Sequence, residues 1–561
     1  MKEDLPAVLE ALSTAHGELL KGLKLPSTGG ELGVERAEAE PEPVYPAKVR
    51  DDIQGNVIPG FNKDHQHFLF LRFRAVKGTK AWLRWLAPQI ASMDEVLAFV
   101  RAHRALRLKL GVKEPGLKAT WINVAFSAGA IAKLAGKEEA AAFGERSFLQ
   151  GLAERSTYLG DPTDPRHPGY RGKWVVGGPK NTADILVIVG SDDPADLDAT
   201  VETIKAEAAR CGLDVLFEQR GQTLPEPLRG HEHFGFKDGI SQPGVRGKVS
   251  SAPGDFITPR YVDASDPHAD IFAKPGQVLV WPGQFLLGER RQNTESLTAS
   301  APGATDFPKW ARRGSYLVCR RLRQDVPAFW EFVRALAAET GGSMTHVAAM
   351  LVGRWPSGAP LMRATSSDDP ALAGDEFANN HFIFDDDTRA SSLRPIPGYP
   401  GDSHSPAQAD ILGAVCPHFA HIRKVNPRDS GTDLGKVADG FLRMILRRGI
   451  PFGPPMIGIK KPPPKLVKQE RGLMFLSYAA TIESQFEFLT RRWSNSPVQP
   501  NFGGHDPVVG QEGRGDRVRF VDFPTERGPV RLTLKKEWVT VTGGGYFFAP
   551  PISAIAGVLG A

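Results

Sequence analysis

Compact apolar runs and amphipathic stretches alternate along the first half of the chain. Four apolar runs predict buried β-strands: HFLFLRFRA (67–75), TWINVAFS (120–127), ADILVIVG (183–190) and DVLFEQ (214–219). Residues 80–102 and the run AGAIAKLA have the apolar spacing of helices. A third helix starts at Asp193 and Pro194, where Asp193 is placed to cap the helix and Pro194 fits its first turn. This order of elements predicts an α+β layer of ferredoxin-like type.

The same order of strand and helix returns later in the chain. GSYLVCRRL (314–322) and GLMFLSYA (472–479) predict strands, and each is followed by a helical pattern, AFWEFVRALAAE and TIESQFEFLTRRW. The tail VRLTLKKEWVTVTGGGYFFAPP predicts a closing β-hairpin. The sequence therefore predicts an α+β protein with two duplicated ferredoxin-like halves, each made of a sheet and helices.

Changes in composition divide the chain into four segments. These are an N-terminal helix and arm (1–50), an N-terminal ferredoxin-like half (51–225), a connecting segment (226–310) and a C-terminal ferredoxin-like half (311–561). Residues 5–24 predict a short amphipathic helix, and the Gly-, Glu- and Pro-rich stretch after it is typical of a flexible arm. Residues 355–415 are rich in Pro, Ser, Gly and Asp, and long loops in a compact protein tend to build a site.

Composition and charge narrow the class of protein. The 561 residues carry 69 basic and 64 acidic side chains, a formal net charge of +5, which is too small to predict binding to nucleic acid or to a membrane. Acidic residues interrupt the N-terminal apolar stretch, so no conventional signal peptide is predicted. The widely spaced Cys211, Cys319 and Cys416 favour a reducing compartment. We therefore expect a cytoplasmic protein, and the composition leaves its oligomeric state open.

The stretch HEHFGFKDGISQP (231–243) contains the first candidate for chemistry. Its carboxylate, Asp238, lies beside Phe234 and Phe236, which indicates an acid held in a partly dry place. On its own the stretch is also compatible with an ordinary glycine-rich turn.

The stretch CPHFAHIRKVNPRD (416–429) contains the second candidate, His421. A buried histidine bonded within the core is one interpretation. A zinc site formed by Cys416, His418 and His421, as in a zinc hydrolase, is another, although the spacing matches no common zinc module.

Two further motifs contain charged side chains that could take part in a reaction. ILRRGIPFG (445–453) places Arg447 and Arg448 before a rigid apolar turn, and a paired surface arginine is the ordinary interpretation. SYAATIESQF (477–486) places Glu483 in the first turn of a helix, where the helix dipole favours an anion.

Taken together, FGFKDGISQP, CPHFAHIRK and ILRRGIPFG resemble the dye-decolourising (DyP-type) haem peroxidases, and PGQFLLGE (282–289) and GGGYFFAPP (543–551) resemble the longer members of that family. The resemblance runs from about residue 51 to near the C-terminus. It implies a barrel-like α+β fold with one haem pocket and haem b as the cofactor. It also implies hydrogen peroxide as the oxidant and dyes or phenols as organic reductants.

The resemblance also implies roles for individual residues. His421 would ligate the haem iron, Asp238 and Arg447 would lie on the distal side, and Glu483 would hydrogen-bond the proximal imidazole. Leu473 and Phe475 would line the distal face, where this chain has Gly449 in place of the asparagine of smaller members. Arg423, Lys424 and Arg428 are candidate partners of the haem propionates by charge alone.

The chemistry explains why these residue types would be needed. An acid bonded to one nitrogen of a histidine ligand fixes its tautomer and makes it a stronger donor. An aspartate could carry a proton between the two oxygens of peroxide, and its reference pKa of about 3.9 favours acidic conditions. A haem-storing or haem-sensing protein of the same fold is the second interpretation of the sequence, and the zinc hydrolase is the third.

Overall fold

The structure is a computed structural model, and the residues that it describes are 39–111, 116–386, 393–396, 401–457, 463–513 and 518–561. The helix predicted at residues 5–24 lies outside this range. Within the described ranges, no helix is both long enough and apolar enough to cross a membrane.

The strands are numbered here in chain order. They are β1 (His65–Phe73), β2 (Thr120–Phe126), β3 (Ile185–Ser191), β4 (Leu213–Gln222), β5 (Gly244–Val245), β6 (Phe272–Lys274), β7 (Gln277–Val280), β8 (Arg291–Gln292), β9 (Ser300–Ala301), β10 (Ser315–Gln324), β11 (Leu446–Arg447), β12 (Ile450–Phe452), β13 (Gly472–Ala479), β14 (Phe520–Phe523), β15 (Val530–Thr533) and β16 (Val539–Ala549).

Helices lie in several of the connections between strands. The α-helices are Ala47–Arg50, Val76–Leu86, Met93–Leu110, Ala128–Leu134, Lys137–Ala141, Arg146–Gln150, Leu152–Leu159, Pro194–Arg210, Val326–Thr340, Met344–Val352, Pro370–Gly374, His421–Val425, Val437–Phe441, Pro464–Val467 and Ile552–Ala554. Short 3₁₀ turns are Ala87–Gln89, Arg171–Lys173, Pro282–Gln284 and Lys309–Ala311. Wider π-helical turns are Ile482–Glu487, Leu489–Ser494 and Ile555–Leu559, so the helix predicted after β13 forms with a wider turn than expected.

Local sequence signals explain where these elements begin. The Asp193 side chain accepts hydrogen bonds from the N–H groups of Ala195 and Asp196 at 2.8 and 3.3 Å, as its predicted capping role requires. Asp325 caps the helix Val326–Thr340 in the same way through the N–H of Ala328. The helix start predicted at Asp193 and Pro194 is confirmed.

Nine strands form one antiparallel sheet in the order β11-β13-β10-β16-β2-β3-β1-β4, with β12 also paired to β13. The strands of the first half occupy neighbouring positions in the order β2-β3-β1-β4, which is the ferredoxin-like order. The strands of the second half are also neighbours. The predicted duplicated α+β fold is therefore confirmed.

The two halves meet in two places. Phe548 of β16 pairs with Phe126 of β2, which joins the halves on one side. On the other side Gly221 of β4 lies so close to Ile450 and Pro451 of β12 that a side chain at position 221 would collide with them. The sheet thus curves back on itself and encloses a barrel.

The alternation of side chains along each strand gives the sheet two different faces. One face points into the barrel, where Phe68 and Phe70 pack with Leu317, Cys319 and Met474 from the other half. The opposite face of the first half is covered by its helices; Leu69 and Leu71, for example, belong to the same buried cluster as Trp82 and Val201. In the second half, part of this outer face is left for the functional site.

The predicted C-terminal hairpin is wrong. β15 pairs with β14 in a separate two-stranded sheet, whereas β16 enters the main sheet between β10 and β2. β16 is buried along almost its whole length, as is expected of a central strand, and the sequence pattern alone does not identify the partner of a strand.

Candidate functional site

A cavity of about 330 Å³ lies on the outer face of the second half of the sheet and is called the main cavity below. Arg320 and Leu322 of β10 and Leu473 and Phe475 of β13 line it, because alternate residues of these strands point away from the barrel. Most of the rest of its wall comes from four segments: 232–243, 421–428, 443–449 and 486–511. Its volume lies in the range of pockets that bind small molecules and cofactors.

Asp238 and Arg447 meet in this cavity. Nη1 of Arg447 donates to Oδ1 of Asp238 at 3.0 Å, and Nη2 donates to the carbonyl of Ser241 at 2.8 Å. The N–H of Gly239 also donates to Oδ1 of Asp238, at 2.6 Å. Burial raises the pKa of Asp238, but the Arg447 charge and the Gly239 N–H outweigh it and hold that pKa below its ordinary value. Asp238 is therefore an ionised carboxylate.

A second acid supports the loop that carries Asp238. Glu232 accepts hydrogen bonds from the N–H groups of Phe234 and Phe236 at 2.8 and 2.9 Å, and also from the side chain of Gln324. The Phe234 ring stacks on Phe329 with 4.5 Å between centroids. Burial raises the pKa of Glu232 to about 7. The phenylalanines beside Asp238 thus anchor the loop in the core and do not simply surround the acid.

His421 faces the same cavity from the start of the helix His421–Val425. Its Nδ1 lies 2.8 Å from Oδ2 of Asp506, while Oδ1 of Asp506 accepts the N–H groups of Val508 and Val509. Burial raises the pKa of Asp506, but the interaction with His421 lowers it below its ordinary value. Because an ionised carboxylate only accepts hydrogen bonds, Nδ1 carries a proton. Burial lowers the pKa of the His421 ring, but Asp506 outweighs this effect and raises that pKa above its ordinary value. In the neutral ring, Nε2 has the lone pair, and this atom has no protein hydrogen-bond partner in the described ranges.

These features fit a haem. A haem iron requires a neutral imidazole with one nitrogen free, and His421 offers Nε2 on a cavity whose floor is apolar and large enough for a cofactor. The bond from Nδ1 to Asp506 is the outer-shell contact that normally orients such a ligand. Leu473 and Phe475 line the cavity as predicted.

The predicted role of Glu483 is wrong. Glu483 lies at the surface, with 42% of its side chain exposed, and accepts a hydrogen bond from Ser147 at 3.1 Å. The turn that contains it buries Ile482 and Phe486 instead, which directs position 483 outward. Asp506 occupies the position beside the imidazole, in the stretch GGHDP that has no helical or strand pattern. Its sequence signal is only that of an Asp-Pro turn.

The predicted contacts of Arg423 and Lys424 with the cofactor are also wrong. Arg423 is fully buried and donates to Asp410 and to the carbonyl of Cys416, and Lys424 donates to the carbonyl of Gly504. On a short helix His421, Ile422 and Val425 face the cavity, and residues 423 and 424 therefore point away from it. The cations that line the cavity include Arg428, as predicted, and also Arg320 and Arg354.

The three candidate zinc ligands do not converge. Both ring nitrogens of His418 lie beside backbone carbonyls, those of Phe502 and Ile411, at 2.9 and 3.0 Å. Cys416 is fully buried, and burial raises the pKa of its thiol to about 12, which disfavours the thiolate that zinc requires. Among the described residues, no group of three or more His, Cys, Asp or Glu side chains could hold a metal ion.

Comparison with known proteins agrees with the geometry of the site. Residues 52–223 match the family described as the DyP dimeric alpha+beta barrel domain, and residues 350–500 match the Dyp-type peroxidase C-terminal family. The dye-decolorizing peroxidase AauDyP1 of Auricularia auricula-judae is 30% identical over 523 residues, which cover 91% of this chain and 87% of that protein. The multifunctional dye peroxidase DyP2 of an Amycolatopsis strain is 27% identical, with 90% and 95% covered.

Solved structures give the same result. The structure of an ancestral D-type dye-decolorizing peroxidase superposes with a TM-score of 0.70 at 28% identity and covers 91% of this chain and 99% of that chain. A complex of AauDyP with imidazole superposes with a TM-score of 0.67 over the same shares of the two chains, also at 28% identity.

Proposed function

Because the chain belongs to the family of DyP-type, dye-decolorizing peroxidases, we propose that its main cavity binds haem b and that Nε2 of His421 is the protein ligand of the iron. The protein is thus an oxidoreductase that reduces hydrogen peroxide and oxidises organic donors such as dyes. The observation that carries the proposal is the His421 ring, which is fixed at Nδ1 and free at Nε2 on a large cavity. When bound, haem supplies the redox-active iron that transfers electrons from the donors to peroxide.

In this proposal Asp506 positions the ligand. Its carboxylate is held by two backbone N–H groups and is buried, so it has one orientation and accepts the Nδ1 proton of His421. A charged acceptor at this nitrogen increases the electron-donating strength of Nε2.

Asp238 would move a proton between the two oxygens of hydrogen peroxide. Its Oδ1 is occupied by Arg447 and Gly239, and Oδ2 is therefore the atom available to take a proton from one peroxide oxygen and return it to the other. The second oxygen then leaves as water. The transfer requires an ionised aspartate in the resting enzyme, and the lowered pKa of Asp238 agrees with that requirement.

Arg447 has two functions in the proposal. Its positive charge opposes the effect of desolvation and keeps Asp238 ionised, and it stabilises the negative charge that develops on the departing oxygen. Its second bond, to the Ser241 carbonyl, fixes the guanidinium against the same loop. A protein that only stored or sensed haem would need neither a proton carrier nor this fixed cation, which favours the peroxidase over that alternative.

The compartment is a separate proposal. The three cysteines are free and buried in the structure, which is compatible with a reducing compartment such as the cytoplasm. Fractionation of the producing cells with an antibody to this protein would test it. Recovery with a secreted or surface fraction would contradict it.

The proposed function is tested by adding haem to the purified protein and titrating the Soret absorption. One haem per chain and peroxide-dependent bleaching of an anthraquinone dye at acidic pH are expected. A protein that binds haem but bleaches no dye with peroxide would support haem storage or sensing instead.

A further inference from the structure

Two carboxylic acids of one loop, Glu232 and Asp238, line the main cavity. The loop folds back on itself between them. The N–H of Glu232 donates to the carbonyl of Phe236 at 3.0 Å, and the N–H of Gly235 donates to the carbonyl of Glu232 at 2.9 Å. Both acids therefore face the same space, although the peroxide chemistry proposed above uses only Asp238.

The surroundings of the two acids act on their pKa values in opposite directions. Arg447 and the N–H of Gly239 outweigh the effect of burial on Asp238 and hold its pKa below its ordinary value. Burial raises the pKa of Glu232 to about 7, and the negative charge of Asp238 adds to this effect, whereas the hydrogen bonds that Glu232 accepts oppose it. Two acids whose pKa values are pushed apart in one site are suited to act as a proton acceptor and a proton donor.

Uncharged side chains pack against the turn of Glu232 from β10 and from the helix Val326–Thr340. They are Gln324, Phe329 and Trp330. His233, the next residue in the chain, is neutral near neutral pH, because burial lowers its pKa to about 4. Among the described residues, Asp238 is the charged group that acts most strongly on Glu232.

The amide of Gln324 can bind Glu232 in either protonation state. Its Nε2 donates to Oε2 of Glu232, which suits an ionised acid. Its Oε1 is buried and has no hydrogen-bond partner in the described part of the chain. If the amide turns over, Oε1 accepts the O–H of a protonated Glu232 instead, because the two ends of an amide have nearly the same shape. The pair therefore keeps a hydrogen bond with or without the proton.

We propose that Glu232 is a second proton-transfer residue of the main cavity, which donates its proton to the peroxide oxygen that remains after the first water has left. The inference rests on the proposed peroxidase function. Donors such as dyes supply electrons in that function, and the protons must come from another source. Asp238 is not that source, because it returns its proton to the departing oxygen and is otherwise ionised.

The reaction balances in atoms and electrons. Asp238 takes the proton of one peroxide oxygen and returns it to the other oxygen, which leaves as the first water. The remaining oxygen then receives one electron from each of two donor molecules and two protons. In each proton transfer the O–H bond of Glu232 breaks, an O–H bond forms on the remaining oxygen, and solvent protonates Glu232 again. One hydrogen peroxide, two donors and two protons thus give two waters and two oxidised donors.

The test uses the full-length, haem-loaded protein and three variants. Glu232→Gln keeps the shape of the side chain and removes its acidic proton. Gln324→Leu keeps the acid and removes a hydrogen bond that stabilises its charged form, so it tests the same residue without replacing it. Glu145→Gln is the matched control, because burial also raises the pKa of Glu145 to about 7 but Glu145 does not line the main cavity.

Infrared difference spectroscopy from acidic to alkaline pH detects the protonated carboxyl group itself. The difference between the wild type and Glu232→Gln isolates the carboxyl band of Glu232, which should disappear as the pH rises through about 7. In Gln324→Leu this band should persist to a pH about one unit higher, because a hydrogen bond to a charged group is worth about one pKa unit.

Turnover separates the two proton transfers. In the wild type, kcat for dye should fall as the pH rises through about 7, because Glu232 loses its proton. In Glu232→Gln, kcat in acid should be about 100-fold lower, the lower end of what a general acid contributes, and should not change near neutral pH. The value of kcat/KM for peroxide should stay at the wild-type level, because it reports the earlier step of Asp238. In Gln324→Leu the fall of kcat should move to higher pH, and Glu145→Gln should follow the wild type.

The inference is overturned if Glu232→Gln keeps the kcat of the wild type and its dependence on pH. It is also overturned if kcat and kcat/KM for peroxide fall together in this variant, since Glu232 would then only support the loop of Asp238. An unmoved fall of kcat in Gln324→Leu would contradict it as well. Absence of dye bleaching by the wild type would instead contradict the proposed function, and the infrared titration would still decide whether Glu232 holds a proton.

Discussion

Nδ1 of His421 lies 2.8 Å from a carboxylate oxygen of Asp506, a residue 85 positions further along the chain. This contact fixes one nitrogen of the imidazole, and the other nitrogen faces the main cavity. The acid that the family resemblance assigned to this place, Glu483, lies instead at the surface beside Ser147. The two acids therefore make a matched pair for experiment.

Asp506→Asn should change the electronic properties of the site, whereas Glu483→Gln should not. Replacing the charged acceptor makes His421 a weaker donor, so the reduction potential of the bound haem should rise and haem affinity should fall about 10- to 100-fold. Spectroelectrochemical titration and haem titration measure these quantities. If Asp506→Asn had the same reduction potential as the wild type and Glu483→Gln had a shifted one, Glu483 and not Asp506 would be the acid that hydrogen-bonds His421.

Asp238→Asn should leave haem bound and slow the reaction with peroxide. The amide group that replaces Oδ2 cannot take up a proton and return it, and proton transfer of this kind contributes about 100- to 10,000-fold to a rate. Stopped-flow absorption of the haem after mixing with peroxide measures the step. A rate within a factor of about two of the wild type would remove Asp238 from proton transfer and leave Arg447 as the group that drives the reaction.

Arg447 should determine how activity depends on pH. The folded-state pKa of Asp238 lies below its ordinary value, so the ionised, active form exists above that pKa and is lost as the pH falls through it. In Arg447→Leu only the Gly239 N–H and His421 still oppose the effect of burial, so the pKa of Asp238 rises and the acidic limb of kcat/KM should move to higher pH. Arg447→Lys keeps the charge and should restore part of the shift. An acidic limb at the same pH in all three proteins would contradict this account.

The same pKa difference affects stability. The interaction of Asp238 with Arg447 stabilises the folded state above the unfolded-state pKa of about 3.9, and this contribution is lost as the pH falls through the lower folded-state pKa. Asp238→Asn should therefore be less stable than the wild type near neutral pH and should approach it in strong acid. Urea unfolding of both proteins across this pH range measures the difference.

Arg448, the neighbour of Arg447, should matter for stability and not for chemistry. Its guanidinium donates to the backbone carbonyls of Asn56, Val57 and Pro59, which ties β11 to the start of the folded body. Arg448→Ala leaves these acceptors unpaired and should lower the free energy of unfolding by about 3 kcal/mol. Denaturant unfolding gives this value, and the folded fraction should bleach dye at the normal rate. If Arg448→Ala lost turnover without losing stability, Arg448 and not Arg447 would be the arginine that acts in the reaction.

Much of the fold could be predicted from the sequence, because its signals are local. The apolar runs of β1, β3 and β13 and the caps at Asp193 and Asp325 depend on neighbours in the chain. The partner of a strand is a non-local property, and the prediction for the C-terminal tail failed there: β15 and β16 follow one another but belong to different sheets.

In the candidate site, too, the residues with local sequence signals could be predicted and those placed by non-local contacts could not. The loop of Asp238 and the strand of Arg447 carry recognisable motifs, and the structure brings the two side chains to 3.0 Å. Asp506 had no such motif, because its role arises from a loop folded against the His421 helix. The charge of Arg423 alone predicts a contact with the cofactor, but the helical period of about 3.6 residues points its side chain away from the cavity and toward Asp410.

The central claim is that Nε2 of His421 ligates a haem in the main cavity, and replacement of the ligand by a small molecule tests it most directly. His421→Gly opens a space the size of imidazole beside Asp506. The account predicts that the variant loses the absorption and resonance Raman signature of a histidine-ligated haem. Added imidazole should restore that signature, and with it the bleaching of dye by peroxide. An unchanged histidine-type spectrum in His421→Gly without imidazole would contradict the account.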